Sequence, residues 1–268
     1  MRSIDTVGPG SGAKGLGLGR PVFALGVMAI ATLALIWDAF DPSQPLPKGF
    51  AHRDVLAYGA GGLMMAAGAA TLWPRTASWG AAVLAAYFGL VVFAAMNGRV
   101  ILAHPGVYGV WSGAAEPLAV AAGGLIVFAR SADIDPVLAA RVVRAGQLAF
   151  GVCAVLFGGA HFFYMNFTAP LVPKWLPFGG DFWGYATGAF HIAGGLAILA
   201  GVRARLAAIL LTAMYAAFTP LVHIPTVLAN PAIHFNWTEN AANLVLVGVA
   251  WVVADSLAPG AVRRRPPQ

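Results

Sequence analysis

The sequence predicts an all-α integral membrane protein. Of its 268 residues, 59% are hydrophobic and only 10% are charged, whereas soluble globular chains carry about 25% charged residues. The mean hydropathy is +0.77, and eight apolar stretches each have about the 20 residues that a helix needs to cross a bilayer. This composition excludes a cytosolic enzyme, a nucleic-acid-binding protein and a disordered chain.

The eight predicted spans follow one another along the chain with turn-forming residues between them. They cover residues 21–40, 55–73, 78–101, 112–129, 145–165, 182–201, 205–224 and 238–256. Asp41-Pro42 and His104-Pro105 are typical of the breaks. No small-residue cleavage site follows the first apolar stretch, so we expect it to be a retained span rather than a signal peptide.

The basic residues predict how the chain is oriented. With the N-terminus inside, twelve of the 16 Lys and Arg residues fall on the inner side and four on the outer side. The outer four are Lys48, Arg53, Arg99 and Lys174. This bias is the positive-inside pattern, and we expect a multi-pass protein of a bacterial-type inner (plasma) membrane with both termini cytoplasmic.

The two halves of the chain resemble each other and predict an internal repeat. Residues 25–29, 45–48, 61–63 and 103–111 match residues 150–154, 170–174, 194–196 and 229–237 in the same order. Each half has four spans, so both start on the inner side. We therefore expect two tandem four-helix bundles related by a parallel repeat, unlike the inverted repeats of many transporters. The predicted organisation is a flexible cytoplasmic tail (1–20), a first repeat (21–130), a cytoplasmic linker (131–143), a second repeat (144–257) and a basic C-terminal tail (258–268).

Ionisable residues predict a polar site in the second half, because each costs a few kcal/mol inside a span. One comes from each of four consecutive spans: His161, His191, His223 and Glu239. Helical spacing puts Tyr215 and His223 on one stripe, and His191 in a groove of small residues about 13 Å into its span. We expect all four to converge in the outer half of the membrane. Trp175, in the loop after the fifth span, is expected to cover this site or to anchor the loop at the interface.

Four interpretations of this cluster stay open. Polar groups in bundles often only hydrogen-bond each other, for about 0.6 kcal/mol apiece, which would make the protein a non-catalytic scaffold or assembly partner. A quinone or other small molecule would use His as its hydrogen-bond or proton partner. A metal ion, or a haem between two histidines, would use the same His and Glu side chains. A proton or small-solute path is the fourth interpretation.

The single cysteine, Cys153, lies in an apolar stretch. It excludes an intramolecular disulfide, a Cys-x-x-Cys pair and a zinc site built on thiolates. Any redox chemistry therefore needs a bound cofactor or a partner, and we expect a membrane or periplasmic redox partner beside the lipid bilayer itself. Whether the protein is an enzyme is left open.

The second half, about 144–257, resembles the DoxX-like membrane family. The resemblance is carried by 159–162 (GAHF), 169–177 (APLVPKWLP), 182–188 (FWGYATG) and 194–199 (GGLAIL). It implies a four-helix unit, and it carries over His161 and the loop 172–177; the better-known members are linked to quinone-dependent thiosulfate oxidation or to oxidative-stress complexes. This sequence has His191 where many relatives have an acidic residue and Ile36 where the first half would match His161. The first half resembles a diverged repeat, and thiosulfate oxidation is not carried over.

Overall fold

The computed structural model describes residues 17–259, which contain no β-strand. Eight helices in this part are long and apolar enough to cross a membrane, which confirms the predicted all-α, multi-pass architecture. They are α1 (Gly19–Trp37), α2 (Arg53–Leu72), α3 (Ala77–Ala103), α4 (Tyr108–Ser131), α5 (Pro136–Phe163), α6 (Gly179–Ala200), α7 (Ala204–Ala229) and α8 (His234–Ser256). The predicted tails at 1–20 and 258–268 fall almost wholly outside the described residues.

Capping residues determine several helix ends. Asp135 caps α5, because its carboxylate accepts hydrogen bonds from the backbone N–H groups of Val137 and Leu138, each at 3.0 Å. Proline at the first position suits a helix start, so α5 begins at Pro136 and residues 136–143 of the predicted linker are helical. At the C-terminal end of α6, Gly201 adopts the left-handed conformation (φ 73°) that ends the helix.

Two of the helices contain wide π-helical turns that the sequence analysis did not predict. One covers Tyr87–Asn97 within α3, and the other covers Thr219–His223 within α7. The second includes Pro220, which has no N–H to donate to the helix ladder. The predicted stripe on the seventh span assumed regular α-helical spacing, and the wide turn changes the rotation of His223 relative to Tyr215.

Helices α4 and α8 form the centre of the molecule. Each packs against the other and against helices from both halves of the chain: α4 contacts α3 and α5, and α8 contacts α1 and α7. The remaining neighbours along the chain, α1–α2, α2–α3, α5–α6 and α6–α7, also pack together. The buried apolar residues of both halves belong to one continuous core.

Glycines allow a close approach between α1 and α8. A Cβ atom added at Gly248 would meet the backbone of Phe23, and one added at Gly26 would lie 2.7 Å from the backbone nitrogen of Val245. Small residues at such crossings let two backbones come together within the membrane. The first and last helices are therefore joined by a glycine seam, made by Gly26 and Gly248.

Candidate functional site

His161 of α5 and His191 of α6 lie side by side in the second half of the chain. Their ring centroids are 5.1 Å apart at an interplanar angle of 47°. Two glycines make this approach possible: a Cβ atom at Gly188 would lie 2.7 Å from Cβ of His161, and one at Gly158 would lie 2.9 Å from Cβ of His191. We call His161 and His191 the histidine pair.

Thr187 connects the two imidazoles through the backbone of α6. The Nδ1 atom of His191 lies 2.8 Å from the Thr187 carbonyl oxygen, so this nitrogen carries the proton. The Thr187 hydroxyl donates to the Trp183 carbonyl at 2.7 Å, and it therefore accepts from Nδ1 of His161 at 3.1 Å. The Gly184 carbonyl oxygen, also 3.1 Å from that nitrogen, is a second acceptor.

These partners assign the same tautomer to both rings. Each Nδ1 is a donor, which leaves each Nε2 of a neutral imidazole as an acceptor. Within residues 17–259, neither Nε2 makes a hydrogen bond to the protein. The histidine pair therefore presents two hydrogen-bond acceptors inside the bundle.

Aromatic rings surround His191 on the side of α7. The ring centroids of Tyr215 and Phe218 lie 5.3 and 6.2 Å from that of His191, and Phe157 of α5 lies at 6.4 Å. His191 and Tyr215 are each only 2% exposed. The Tyr215 hydroxyl is buried without a hydrogen-bond partner among the described residues, so a donor also lies beside the histidine pair.

The other predicted site residues are His223, Glu239 and Trp175. Within residues 17–259, no hydrogen bond or ring contact joins His223 or Glu239 to the histidine pair. Trp175 is 73% exposed and lines a cleft of about 430 Å³ between the α5–α6 connection and α7. The structure thus brings together His161, His191 and Tyr215 of the predicted set.

A second polar region, which the sequence analysis missed, lies where the α1–α2 connection folds into the protein. Asp41, Ser43 and Gln44 are buried there, as is Asn97 of α3. The Tyr87 hydroxyl donates to Oε1 of Gln44 at 2.7 Å. The Asn97 amide donates to the carbonyls of Ser43 and Val92, at 2.9 and 3.0 Å. We call Asp41, Ser43, Gln44, Tyr87 and Asn97 the loop network.

Carboxyl groups from the two central helices face this network. Glu116 of α4 lies beside the side chain of Ser43 and within electrostatic range of Asp41 and Glu239. From the sequence, Glu239 is expected in the polar site of the second half. The side chain of Arg99 donates to the Pro45 carbonyl at 3.0 Å.

Asp41 is the most enclosed of these carboxyl groups. One of its oxygens accepts from the Ser43 N–H at 2.8 Å, and the other is buried without a partner among the described residues. Burial raises the pKa of Asp41 above its usual range. The hydrogen bonds from Ser43 oppose this shift, and so does the electrostatic influence of the nearby His234. Ionised Asp41 is therefore unfavourable in the folded protein.

We expect Asp41→Asn to raise the Tm by about 2–4 °C at neutral pH, which corresponds to about 1 kcal/mol for a chain of this length. Because the pKa is higher in the folded state, the stability of the wild type falls as pH rises from the usual aspartate range through the raised pKa. Asparagine keeps the acceptor for Ser43 and removes the charge beside Glu116 and Glu239. Thermal unfolding of the purified protein from about pH 3.5 to about pH 8 measures both effects.

The exposed Asp133 supplies the control for this measurement, since Asp133→Asn removes a charge that is not buried. That variant should leave the Tm at neutral pH close to that of the wild type. A Tm for Asp41→Asn below that of the wild type at neutral pH would contradict the unfavourable burial of Asp41.

Potential metal ligands are not grouped in the described part of the chain. Among residues 17–259, no group of three or more His, Cys, Asp or Glu side chains is placed to hold a metal ion. Cys153 is buried in the shared core. The histidine pair and the loop network both offer hydrogen-bonding groups inside the bundle.

The two regions differ in how far sequence could reveal them. His161 and His191 are ionisable residues inside apolar stretches, and their cost in a membrane draws attention to them. Ser43 and Gln44 lie in a connection rich in Pro and polar residues, which ordinarily runs over the surface. Only the burial of that connection against α3 and α4 makes them part of a site.

Comparisons of the chain with protein-family models, with curated proteins and with solved structures gave no match. The structure establishes a multi-pass helical membrane protein, and its function is inferred from the geometry of these two polar regions.

Proposed function

We propose that this chain is a DoxX-like, redox-associated membrane protein that binds a quinone or its quinol at the histidine pair. The observation that carries the proposal is the pair itself: two neutral imidazoles, 5.1 Å apart, whose Nδ1 atoms are occupied and whose Nε2 atoms are acceptors. A quinol hydroxyl donates to such an acceptor.

The residues around the pair suit the same ligand. The rings of Phe157, Tyr215 and Phe218 lie about His191 and make the surroundings of the pair aromatic and apolar, as suits an aromatic headgroup. The buried Tyr215 hydroxyl, which has no partner among the described residues, can donate to a quinone carbonyl. The site thus holds acceptors for the reduced ligand and a donor for the oxidised one.

The proposal includes a parallel duplication of four helices. Its support is that corresponding helices have corresponding neighbours: α1 packs on α2 and α8, as α5 packs on α6 and α4. Helices α3 and α7, in equivalent places, both contain a π-helical turn. In both halves the same hydrogen bond joins the start of the last helix to the connection before it. Trp111 of α4 donates to the Pro105 carbonyl, and Trp237 of α8 donates to the Pro231 carbonyl.

The proposed location is a bacterial-type inner membrane with cytoplasmic termini. In the described part of the chain, seven basic residues lie at the end of the bundle where α1 begins, and four lie at the other end. The seven are Arg20, Arg75, Arg130, Arg141, Arg144, Arg203 and Arg205. The positive-inside rule then puts the Trp175 cleft on the periplasmic side, where a soluble redox partner would meet the protein.

A binding titration tests this function. We expect the purified full chain to bind a short-chain quinol analogue, with quenching of tryptophan fluorescence as the readout, and to carry native quinone that can be extracted and identified by absorbance. His161→Gln and His191→Gln should each raise the Kd of the quinol by about tenfold, since one buried hydrogen bond is worth about 1.4 kcal/mol. Tyr215→Phe should weaken the binding of the quinone more than the binding of the quinol.

The control is His104→Gln, in the exposed connection between α3 and α4, which should leave the Kd unchanged. Absence of quinol binding by the wild type, or equal effects of His104→Gln and His161→Gln, would overturn the proposal. If alanine at His161 and His191 lowers the Tm without changing ligand binding, the pair only stabilises the bundle, and a scaffold or assembly role replaces the quinone site. A proton or small-solute path is the less favoured alternative.

A further inference from the structure

A large groove opens at the basic end of the bundle, at the opposite end from the Trp175 cleft. It has a volume of about 800 Å³, within the range of about 300–1,000 Å³ that is typical of ligand sites. It lies where α1 and α5 begin and where α4 and α8 end, so all four helices that join the two halves contribute to it. The histidine pair and the loop network take no part in its lining.

Three arginines line this groove: Arg20 of α1, Arg130 of α4 and Arg144 of α5. The acidic side chain in the lining is Asp133, so the lining carries an excess of positive charge. Guanidinium groups present a planar fork of N–H donors that matches the oxygens of a phosphate group. The charge and the donor geometry both favour an anion.

Hydrogen bonds to the backbone hold two of the arginines in place. Arg130 donates to the Asp255 carbonyl at 2.6 Å, and Arg144 donates to the carbonyls of Ile198 and Leu199 at 3.1 and 2.8 Å. A guanidinium has five N–H donors, so these contacts leave donors for a ligand. Fixing the side chains beforehand lowers the entropy that binding would cost.

Buried polar side chains form another part of the lining. Gln147 and Ser256 are only 5% and 9% exposed, and the Gln147 amide donates to the Ser256 hydroxyl at 2.9 Å. Arg144 is 3.4 Å from the Gln147 amide oxygen. The groove is thus a concave, polar surface with positioned donors rather than a scatter of arginines on a helix end.

We propose that this groove binds the phosphate group of an anionic ligand at the inner face of the membrane. The basic end of the bundle faces the cytoplasmic leaflet under the positive-inside rule, and that leaflet is rich in anionic lipid. A phospholipid headgroup and a soluble phosphate ester share the chemistry that the arginines recognise. The groove would join the two halves through a bound anion.

Native mass spectrometry of the full chain tests this site. The protein is exchanged from vesicles of phosphatidylcholine alone, or of phosphatidylcholine with phosphatidylglycerol, into a neutral detergent, and retained lipid is counted. Inorganic phosphate and glycerol 3-phosphate are titrated separately with the Tm as readout. We expect phosphatidylglycerol to be retained over phosphatidylcholine, and Arg20→Gln and Arg130→Gln each to weaken that retention by about tenfold.

Two variants keep the result interpretable. Arg75→Gln removes an arginine from the same end of the bundle that does not line the groove, and it should leave retention unchanged. If Arg130→Gln unfolds because it loses the contact with Asp255, lipid retention by Arg20→Gln tests the site instead. Arg130→Lys keeps the positive charge and should recover part of the affinity. A Tm rise with glycerol 3-phosphate that competes with lipid assigns a soluble phosphate ester. Failure of every anion to bind better than phosphatidylcholine, or an equal loss with Arg75→Gln, overturns the proposal.

Discussion

Replacing Gly248 with alanine is expected to destabilise the protein by about 1–3 kcal/mol, the usual cost of overpacking. The added methyl group would collide with the backbone nitrogen and Cα of Phe23, and a backbone on the facing helix cannot move aside as a flexible side chain can. Gly26→Ala should act in the same direction, since its Cβ atom would lie 2.7 Å from the Val245 nitrogen. Thermal unfolding of the purified variants measures the loss.

Gly62→Ala is the matched control for the glycine seam. Gly62 also lies in a membrane-spanning helix, but a Cβ atom there meets nothing within 4 Å. Alanine is a better helix former than glycine by up to about 1 kcal/mol, so this variant should be neutral or slightly stabilising. If Gly248→Ala is as stable as Gly62→Ala, α1 and α8 are not in the close contact described, and the two halves are joined more loosely.

The second large effect is expected from Asn243→Leu, with a loss of about 1–3 kcal/mol. The buried Asn243 amide of α8 donates to the Tyr215 carbonyl at 3.0 Å and to the Thr219 hydroxyl at 2.8 Å. These acceptors lie at the start of the wide turn in α7, where Pro220 supplies no donor. Leucine has a similar volume but would leave the acceptors unpaired inside the membrane.

Asn240→Leu, one turn earlier on α8, provides the comparison. Asn240 is only partly buried, and the variant should change the free energy of unfolding by less than about 0.5 kcal/mol. A loss with Asn243→Leu that is no larger than with Asn240→Leu would show that the wide turn satisfies its own carbonyls. A lower Tm for Asn243→Leu alone would establish α8 as the support of α7 beside the histidine pair.

The part of the site that could be predicted consists of ionisable residues inside apolar stretches. The free-energy cost of burying them in a membrane can be recognised from the neighbouring sequence alone. His161 and His191 stand out because each interrupts an apolar stretch. Gly188 lies on the same face of the sixth span as His191, in the predicted groove of small residues. Their meeting follows from the tight α5–α6 contact at Gly158 and Gly188. The placing of Glu239 with the histidines stays a prediction, and Glu239 also lies within electrostatic range of Glu116.

The loop network was beyond prediction for a different reason. Asp41, Ser43 and Gln44 are polar residues beside Pro42, a composition that indicates an exposed turn. Their burial depends on hydrogen bonds from Tyr87 and Asn97, residues more than 40 positions away. Contacts of that kind are decided by how helices pack and not by the residues next to them in sequence.

The sequence by itself determined that this is an eight-helix membrane protein, because span length, apolar composition and breaker residues are local properties that the thickness of a bilayer selects. The tertiary structure decided which helices are central, which polar residues meet and where the wide turns fall. All three depend on close approaches between distant segments, such as Gly248 with Phe23 and His161 with Gly188. A periodic pattern shows which face of a helix is small or polar, but the partner of that face is chosen only when all eight helices pack together.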